Sequence, residues 1–279
     1  AAAMLAASIN YPLRGAAGWK STVGTNVASD ALSNVASAGV KGGALIILGE
    51  DYGEGASIIQ ERSHAFAMKS SMWLLDPRPD HTRMVELIEK AFELSEASNT
   101  PVMVEYRIRT CHMHGRFEAK DNRPAAHSAR NPLTEPEFDA GRICLPPAIY
   151  LQEKHKIEVR FPAARAFIRE HRLNEVMDGR HQEIGIILQG GLYNTVLRQL
   201  AELGLADSWG RSEVPLLVLN VAHPLAPGQI TDFCHGKSAV LVVEEGYPDF
   251  IEQAVGGMVE CRHGLGSCVG SDSVGARGR

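Results

Sequence analysis

The stretch GGALIILGEDYGEGASIIQERSHAF, from Gly42 to Phe66, decides how the rest of the chain is read. Ala44 to Leu48 is a continuous apolar run that stops at Gly49-Glu50-Asp51. A short apolar run bounded by turn residues suits a strand buried on both faces. Tyr52-Gly53-Glu54-Gly55 follows as a glycine-punctuated loop, where the missing Cβ atoms let backbone come close to a ligand. A helix-compatible segment carrying Gln60, Arg62 and His64 comes next. Ligands of open α/β sheets sit outside the carboxyl ends of the strands, so a site is expected here.

On either side the same alternation continues. Val27, Ala31, Leu32 and Val35 recur at helical spacing between Thr25 and Ala38, with Gly39 as the residue that ends the helix. Met72 to Leu75 reads as a strand closed by Asp76-Pro77-Arg78-Pro79, and Thr82 to Ala97 as a helix. Val102 to Arg109 alternates, which predicts a strand with one wet or functional face. Cys111 to Pro147 is rich in His, Arg, Asn and Pro and reads as a surface arm, and Pro162 to Glu175 as helical. A second α/β unit begins near Glu183. It has strands at Ile184–Leu188, Leu216–Leu219 and Ala239–Val243, a helix stripe at Tyr193, Val196, Leu197 and Leu200, and a short helix at Pro227–Cys234. Asp249 is placed to cap a last helix reaching about Val255. Gly256 to Arg279 shows no helix or strand period and is expected to be disordered. Strands separated by helical patterns make this an α/β protein with largely parallel sheets.

The totals narrow the function classes. The chain has 279 residues, 44% hydrophobic and 22% charged, with a net charge of -5. That balance gives no electrostatic reason to expect nucleic acid. No apolar run approaches the roughly 20 residues that span a bilayer, and the alanine-rich start lacks the basic region of a signal peptide. It reads instead as a helix entered partway along, so the chain is expected to be a fragment. Five scattered cysteines without Cys-x-x-Cys fit a reducing, cytoplasmic setting and offer neither a zinc ribbon nor a cluster ligand set.

Both phosphate fingerprints fail. Gly18-Trp19-Lys20-Ser21 and Gly236-Lys237-Ser238 lack the paired glycines of a Walker loop, and Gly53-x-Gly55 is followed by Ile58 where a dinucleotide loop needs glycine. Cys111-His112-Met113-His114 offers metal-ligand atoms, but Arg107, Arg109 and Arg116 beside it disfavour a divalent ion. Glu244-Glu245-Gly246 fits a strand end whose acids lie near the next helix N-terminus. Arg62 is the sharpest candidate, because its planar fork can grip a carboxylate with two parallel hydrogen bonds. A salt bridge to Glu54, Glu61 or another acid is the competing reading.

Several words in one order carry a resemblance: KSTVG from Lys20, GEDYGEG from Gly49, QERSHAF from Gln60, WLLDPRP from Trp73, LSEASNTPV from Leu94, QGGLYN from Gln189 and VLVVEEG from Val240. Over about residues 1 to 255 the chain resembles the alpha subunits of the indolepyruvate ferredoxin oxidoreductases, within the thiamine-diphosphate-dependent 2-oxoacid:ferredoxin oxidoreductase family. The resemblance implies a partial thiamine pyrimidine-binding-type parallel-sheet domain over 1–118. A linker with helical segments (119–180), a smaller transketolase C-terminal-like α/β domain (181–255) and an irregular tail (256–279) would follow it. It implies oxidative decarboxylation of an aryl 2-oxoacid such as indolepyruvate with coenzyme A, giving an aryl-acetyl-CoA and reduced ferredoxin, with a beta subunit as partner.

The resemblance also implies roles. Arg62 would hold the substrate carboxylate, and Lys20, Ser21, Thr22, Gly53, Glu54 and Gly55 would lie near the thiamine diphosphate pocket. The glutamate that activates the cofactor would precede residue 1, so no catalytic residue is assigned. The complete enzyme would carry thiamine diphosphate with magnesium and 4Fe-4S clusters, whose ligands this chain lacks: Met177-Asp178-Gly179 is missing the first glycine of Gly-Asp-Gly. The fragment is therefore expected to be inactive alone. The alternative is a non-catalytic docking module that keeps thiamine-enzyme folds.

Overall fold

A computed structural model describes residues 1–9, 11–50, 62–122, 127, 130, 132, 138–246, 248–263 and 267–270. It contains two five-stranded sheets. The first is built from β1 (Gly15–Lys20), β2 (Ala44–Glu50), β3 (Trp73–Leu75), β4 (Val102–Arg107) and β8 (Val221–His223), in the order β1-β2-β4-β3-β8. β1, β2, β4 and β3 run parallel and β8 antiparallel to β3. The second holds β5 (Glu175–Met177), β6 (Ile184–Gln189), β7 (Leu216–Leu219), β9 (Ala239–Val243) and β10 (Ser267–Gly270), in the order β10-β9-β6-β7-β5. Only β5 is antiparallel to its neighbour.

The helices between the strands explain the parallel arrangement. α2 (Ser21–Ala38) follows β1, α3 (Ser63–Ser70) leads into β3, and α4 (His81–Ser98) joins β3 to β4. α2 begins at Ser21, a full turn before the apolar stripe starts, because Lys20 leaves the strand in extended conformation. It stops at Gly39, whose φ of 76° is cheap only for a residue without Cβ. α4 starts where Asp80 accepts from the Arg83 amide at 2.9 Å. Its apolar stripe, Leu87, Ala91 and Leu94, packs on Trp73, Val102 and Val104 in one core, and Leu32, Ile46, Leu74 and Met103 occupy the other face of the sheet. Trp73 is fully buried, and its indole N–H donates to Ser98 Oγ at 2.6 Å, so the ring fills the core without an orphaned donor.

Four sequence expectations change. β1 went unread, since Gly15, Ala16, Ala17 and Gly18 carry no strand period; parallel pairing with β2 makes the strand. Of the wet or functional face expected on β4 only the functional alternative holds: Glu105 and Arg107 are buried in a polar cluster, Met103 packs in the core, and Arg109 leaves the strand in the short turn α5 (Ile108–Cys111). The segment expected as a linker is shared between the sheets. Ala164 and Ile168 of α7 (Phe161–Glu170) enter the first core, while β5 pairs with β7. Of the residues expected to be irregular beyond Val255, 256–263 extend α10 (Phe250–His263) and 267–270 form β10 beside β9, while 264–266 and 271–279 lie outside the described residues. Met258 and Val259 pack against Ile251, Val255 and the β9 side chains Val240 and Val242, so apolar burial holds a segment whose composition is glycine-rich.

The two sheets are interlocked. β7 belongs to the second and β8, just after it, to the first. Asn220 sits between them, fully buried, accepting from the Arg78 amide (2.8 Å) and donating to Leu173 O (2.9 Å) and Glu175 Oε2 (2.8 Å). Gly190, which opens the turn before α8 (Tyr193–Glu202), lies so close to the first domain that a Cβ there would stand 2.0 Å from Asp76 O. A side chain is excluded at that crossing by backbone contact.

Candidate functional site

The carboxyl ends of β2, β4, β6 and β9 converge on one buried polar cluster. Glu50 ends β2, Glu105 and Arg107 end β4, Gln189 ends β6, and Glu244 and Glu245 follow β9. Asp76 joins from the end of β3, and Arg62 and Ser63 from the start of α3. This is the crevice that strand polarity predicts for an α/β sheet.

Glu50 is 5% exposed and holds three donors: Ser63 Oγ at 2.6 Å, Ser21 Oγ at 2.7 Å and the Ser63 amide at 3.4 Å. Burial nevertheless pushes its carboxyl above the usual range, against the pull of those hydrogen bonds and of Arg107. Glu105 is held well above it too, first by burial and then by the charges of Asp76 and Glu50. A buried carboxyl among other acids favours the neutral form.

Arg107 is the cation in this group. It donates to Asp76 at 2.7 and 3.4 Å and to Gln189 Oε1 at 3.3 Å, and it pairs with Glu245. Burial works against its charge, but Asp76, Glu105 and Glu50 together hold the guanidinium above its ordinary value. The Glu245 amide donates to the same Gln189 oxygen at 2.8 Å, and the Gly191 amide to Asp76 Oδ1 at 3.1 Å. Arg107 and Asp76 thus tie strands of the first sheet to the second.

Arg62 lies at the same seam. Its guanidinium donates to Glu244 Oε2 at 3.3 Å and to Pro248 O, and stacks at 5.2 Å on Phe250; its side chain is 7% exposed. It lines two small cavities. One of about 30 Å³ is shared with Ser21, Thr22, Thr25 and Ser63, and one of about 10 Å³ with Glu50, Glu105 and Arg107. The structure therefore brings three of the residues singled out in the sequence, Arg62, Ser21 and Thr22, to one place. Lys20 is exposed at the end of β1 and lines neither cavity. Gly53, Glu54 and Gly55 lie outside the described residues.

Glu244 behaves as its strand-end position predicts. Its carboxylate accepts from the Ile251 amide at 3.0 and 3.1 Å and from Glu252 at 3.0 Å, the orphan donors of the first turn of α10. Asp249, expected to cap that helix, accepts instead from Gln253 Nε2 at 2.8 Å. His64 packs 5.2 Å from the Phe250 ring and 6.3 Å from His223. Burial, the Arg62 charge and His223 together push its pKa down to about 3, so it is neutral near pH 7 and holds no mobile proton there.

Glu50, Asp76, Glu105, Arg107 and Gln189 were not singled out as site residues. Glu50, Arg107 and Gln189 end strands, Asp76 directly follows one and Glu105 lies two residues before the end of β4, and that shared position was the available signal. Among the described residues no group of three His, Cys, Asp or Glu is placed to hold a metal ion.

No protein-family model matches the chain. It is 31% identical over 226 residues to indolepyruvate oxidoreductase subunit IorA of Methanothermobacter thermautotrophicus, covering 80% of this chain and 34% of that protein. The IorA subunit of Thermococcus kodakarensis is 26% identical over 231 residues (83% and 35%), and that of Archaeoglobus fulgidus 27% over 240 (85% and 36%). Among solved structures, a 2-oxoglutarate:ferredoxin oxidoreductase from Magnetococcus marinus has the same fold, with a TM-score of 0.58 and 15% identity, over 95% of this chain and 51% of that one. The chain spans about a third of the length of the curated relatives it matches. It is thus a relative of subunit IorA of the indolepyruvate oxidoreductases, similar to that subunit over four fifths of its own length.

Proposed function

We propose that this chain is part of a thiamine-diphosphate-dependent oxidoreductase that converts aryl 2-oxoacids, indolepyruvate among them, with coenzyme A to aryl-acetyl-CoA and passes the electrons to ferredoxin. The observation that carries the reading is the convergence of Arg62, Ser21 and Thr22 at strand ends in a chain similar to IorA. The bound cofactor would supply the electron sink for decarboxylation. This chain's part is binding and placement. A beta subunit, and a cytoplasmic setting, belong to the same reading.

The residues fit that part in a limited way. The cavity shared by Ser21, Thr22 and Arg62, about 30 Å³, has room for a carboxylate-sized group and not for a cofactor. Arg62 can turn to a substrate carboxylate without stranding its present partner, because Glu244 keeps its hydrogen bonds from the Ile251 and Glu252 amides. That makes the Arg62–Glu244 pair exchangeable. In this reading magnesium and the iron–sulfur clusters are held by other parts of the complete enzyme.

Two outcomes follow. The isolated chain, given indolepyruvate, coenzyme A and thiamine diphosphate, reduces neither ferredoxin nor a viologen dye; turnover would sink this division of labour. In the complete enzyme, Arg62→Ala lowers kcat/KM for indolepyruvate by about 30-fold, roughly 2 kcal/mol, as expected for a lost charge-assisted pair. A change under about twofold would make Arg62 a structural residue. It would also favour a second reading, a non-catalytic docking module, which the cross-domain pairing of Arg62 with Glu244 and Pro248 independently supports.

A further inference from the structure

The terminal nitrogens of Arg62 are taken by a short stretch of chain from the second sheet. One donates to Glu244 Oε2 at 3.3 Å and the other to Pro248 O, while the flat face of the guanidinium lies 5.2 Å from the Phe250 ring. Glu244 directly follows β9, and Phe250 opens α10. The edge of the fork that suits a ligand carboxylate thus already faces a carboxylate of the chain itself. The pair has the loosest geometry of three arginine–acid pairs in the molecule. Arg14 meets Glu96 in two bonds of 2.7 and 2.8 Å, and Arg107 meets Asp76 at 2.7 Å. At 3.3 Å the Arg62–Glu244 contact falls outside the roughly 2.7–2.9 Å of a strong charge-assisted bond. The cause lies on the Glu244 side. Its oxygens are turned to the Ile251 amide at 3.0 and 3.1 Å and to the Glu252 amide at 3.0 Å, so the helix N-terminus compensates its charge without Arg62.

We infer that Glu244 is a specificity-determining residue: it competes with a ligand monocarboxylate for the fork of Arg62 and gives the fork up when that ligand binds. The inference rests on the carboxylate role proposed for Arg62. Side-chain exposures of 7% for Arg62 and 2% for Glu244 keep the pair out of water, so the competing charge acts with little screening. A ligand carboxylate arriving at the cavity that Arg62 shares with Thr22 replaces one ion pair by another. Its net gain is the difference between a good two-pronged pair and the 3.3 Å contact. A neutral amide of the same shape brings no charge to offset the pair it displaces, so the site refuses it. The second sheet, which supplies Glu244, therefore sets the affinity of a site whose cation belongs to the first.

Calorimetric titration of the chain with indole-3-lactate, an unreactive 2-hydroxy acid, and with its amide tests this. The parent should bind the acid with Kd on the order of 1 mM and the amide not measurably. Glu244→Gln, which removes the competing charge, should tighten the acid by about tenfold. Glu244→Asp keeps the acid that caps α10 but withdraws it from Arg62 by one methylene, and should tighten binding by about threefold. A residue that merely held Arg62 in place would give the opposite sign in both variants. Arg62→Ala should weaken the acid by at least about tenfold whatever stands at 244. Melting temperatures within about 4 °C of the parent would show that the variants fold. Affinity lost in Arg62→Ala but no higher in either Glu244 variant overturns the exchange and leaves the role of Arg62 standing. Affinity unchanged in Arg62→Ala overturns that role and the exchange with it. No heat from Glu244→Gln up to about 10 mM acid also overturns the exchange.

Discussion

Arg107→Ala unfolds at a markedly lower urea concentration than the parent, with a loss of about 3–5 kcal/mol. The size follows from what the variant leaves behind. Asp76 is 1% exposed and Glu105 5%, and both face the guanidinium. With the cation gone, Asp76 keeps the Gly191 amide but loses its counter-charge, and Gln189 loses a donor. Removing one partner of a buried pair costs far more than the pair contributes, because a desolvated charge is stranded. The exposed pair Arg14–Glu96, with side chains 48% and 35% accessible, supplies the contrast: Arg14→Ala should cost no more than about 1 kcal/mol. Equal losses at the two positions would mean that the polar cluster is wet rather than buried. A second consequence is specific to the interlock. Arg107 joins β4 to the last residue of β6 and to Glu245 after β9, so its loss should broaden the transition as the two sheets uncouple.

The second large effect is acid lability. His64 is buried and His223, 6.3 Å from it, partly buried, with pKa values lowered to about 3 and about 4. Burial dominates for each; Arg62 and His223 add to it at His64, and Arg165 at His223. His64 Nδ1 and His223 Nε2 have no hydrogen-bond partner. In the unfolded chain both titrate near 6.5. Between that pH and the lowered values the unfolded state binds more protons, so stability rises with pH across the window. The contribution is whole above about pH 6.5 and drains away as pH falls toward 3. By about pH 4 the loss should reach roughly 3–6 kcal/mol, large against the stability of an ordinary domain. Glu50 and Glu105 work in the opposite sense, since their raised pKa values favour the fold once the solution is acid enough to protonate them. That gain is made above the unfolded glutamate value near 4.5, inside the same window, so it offsets part of the histidine loss, and only a comparison with a histidine variant isolates the histidine share. Urea midpoints measured from pH 7.5 to 4.5 check this. A profile whose slope is the same in His64→Phe would show that His64 does not carry it.

The reading of Gly42 to Phe66 explains how far the sequence reached. Ala44 to Leu48 is apolar without interruption, and only a strand covered on both faces tolerates that; β2 lies second from the edge with β1 and β4 beside it. The parallel order follows from the helices that separate the strands. Leu216–Leu219, Pro227–Cys234 and Ala239–Val243 have the bounds their apolar runs predict, since Gly, Pro and polar residues close each one. β1 was hidden, because alternate exposure of alanines and glycines leaves no hydrophobic period to find. The extension of α10 and β10 was hidden for a related reason. Glycine and serine are poor signals, and pairing with β9 supplies what composition does not.

The site divides along the same line. Local sequence marked Arg62, because residue type and loop position are properties of a short stretch, and the family resemblance added Ser21 and Thr22. Local sequence determined an α/β chain with its binding end at the strand termini. Which charges meet there is set by pairs far apart in the chain: Arg62 with Glu244, Arg107 with Asp76 and Glu245, Glu50 with Ser21. Burial then decides what each group is. Glu105 alternates along β4 like any exposed strand residue, and becomes a carboxyl with a raised pKa only because Asp76, Glu50 and the second domain close over it. Periodicity records which side a residue faces. Only the tertiary structure decides what faces it back, because the energy of a charge depends on the dielectric and the partners that distant segments bring.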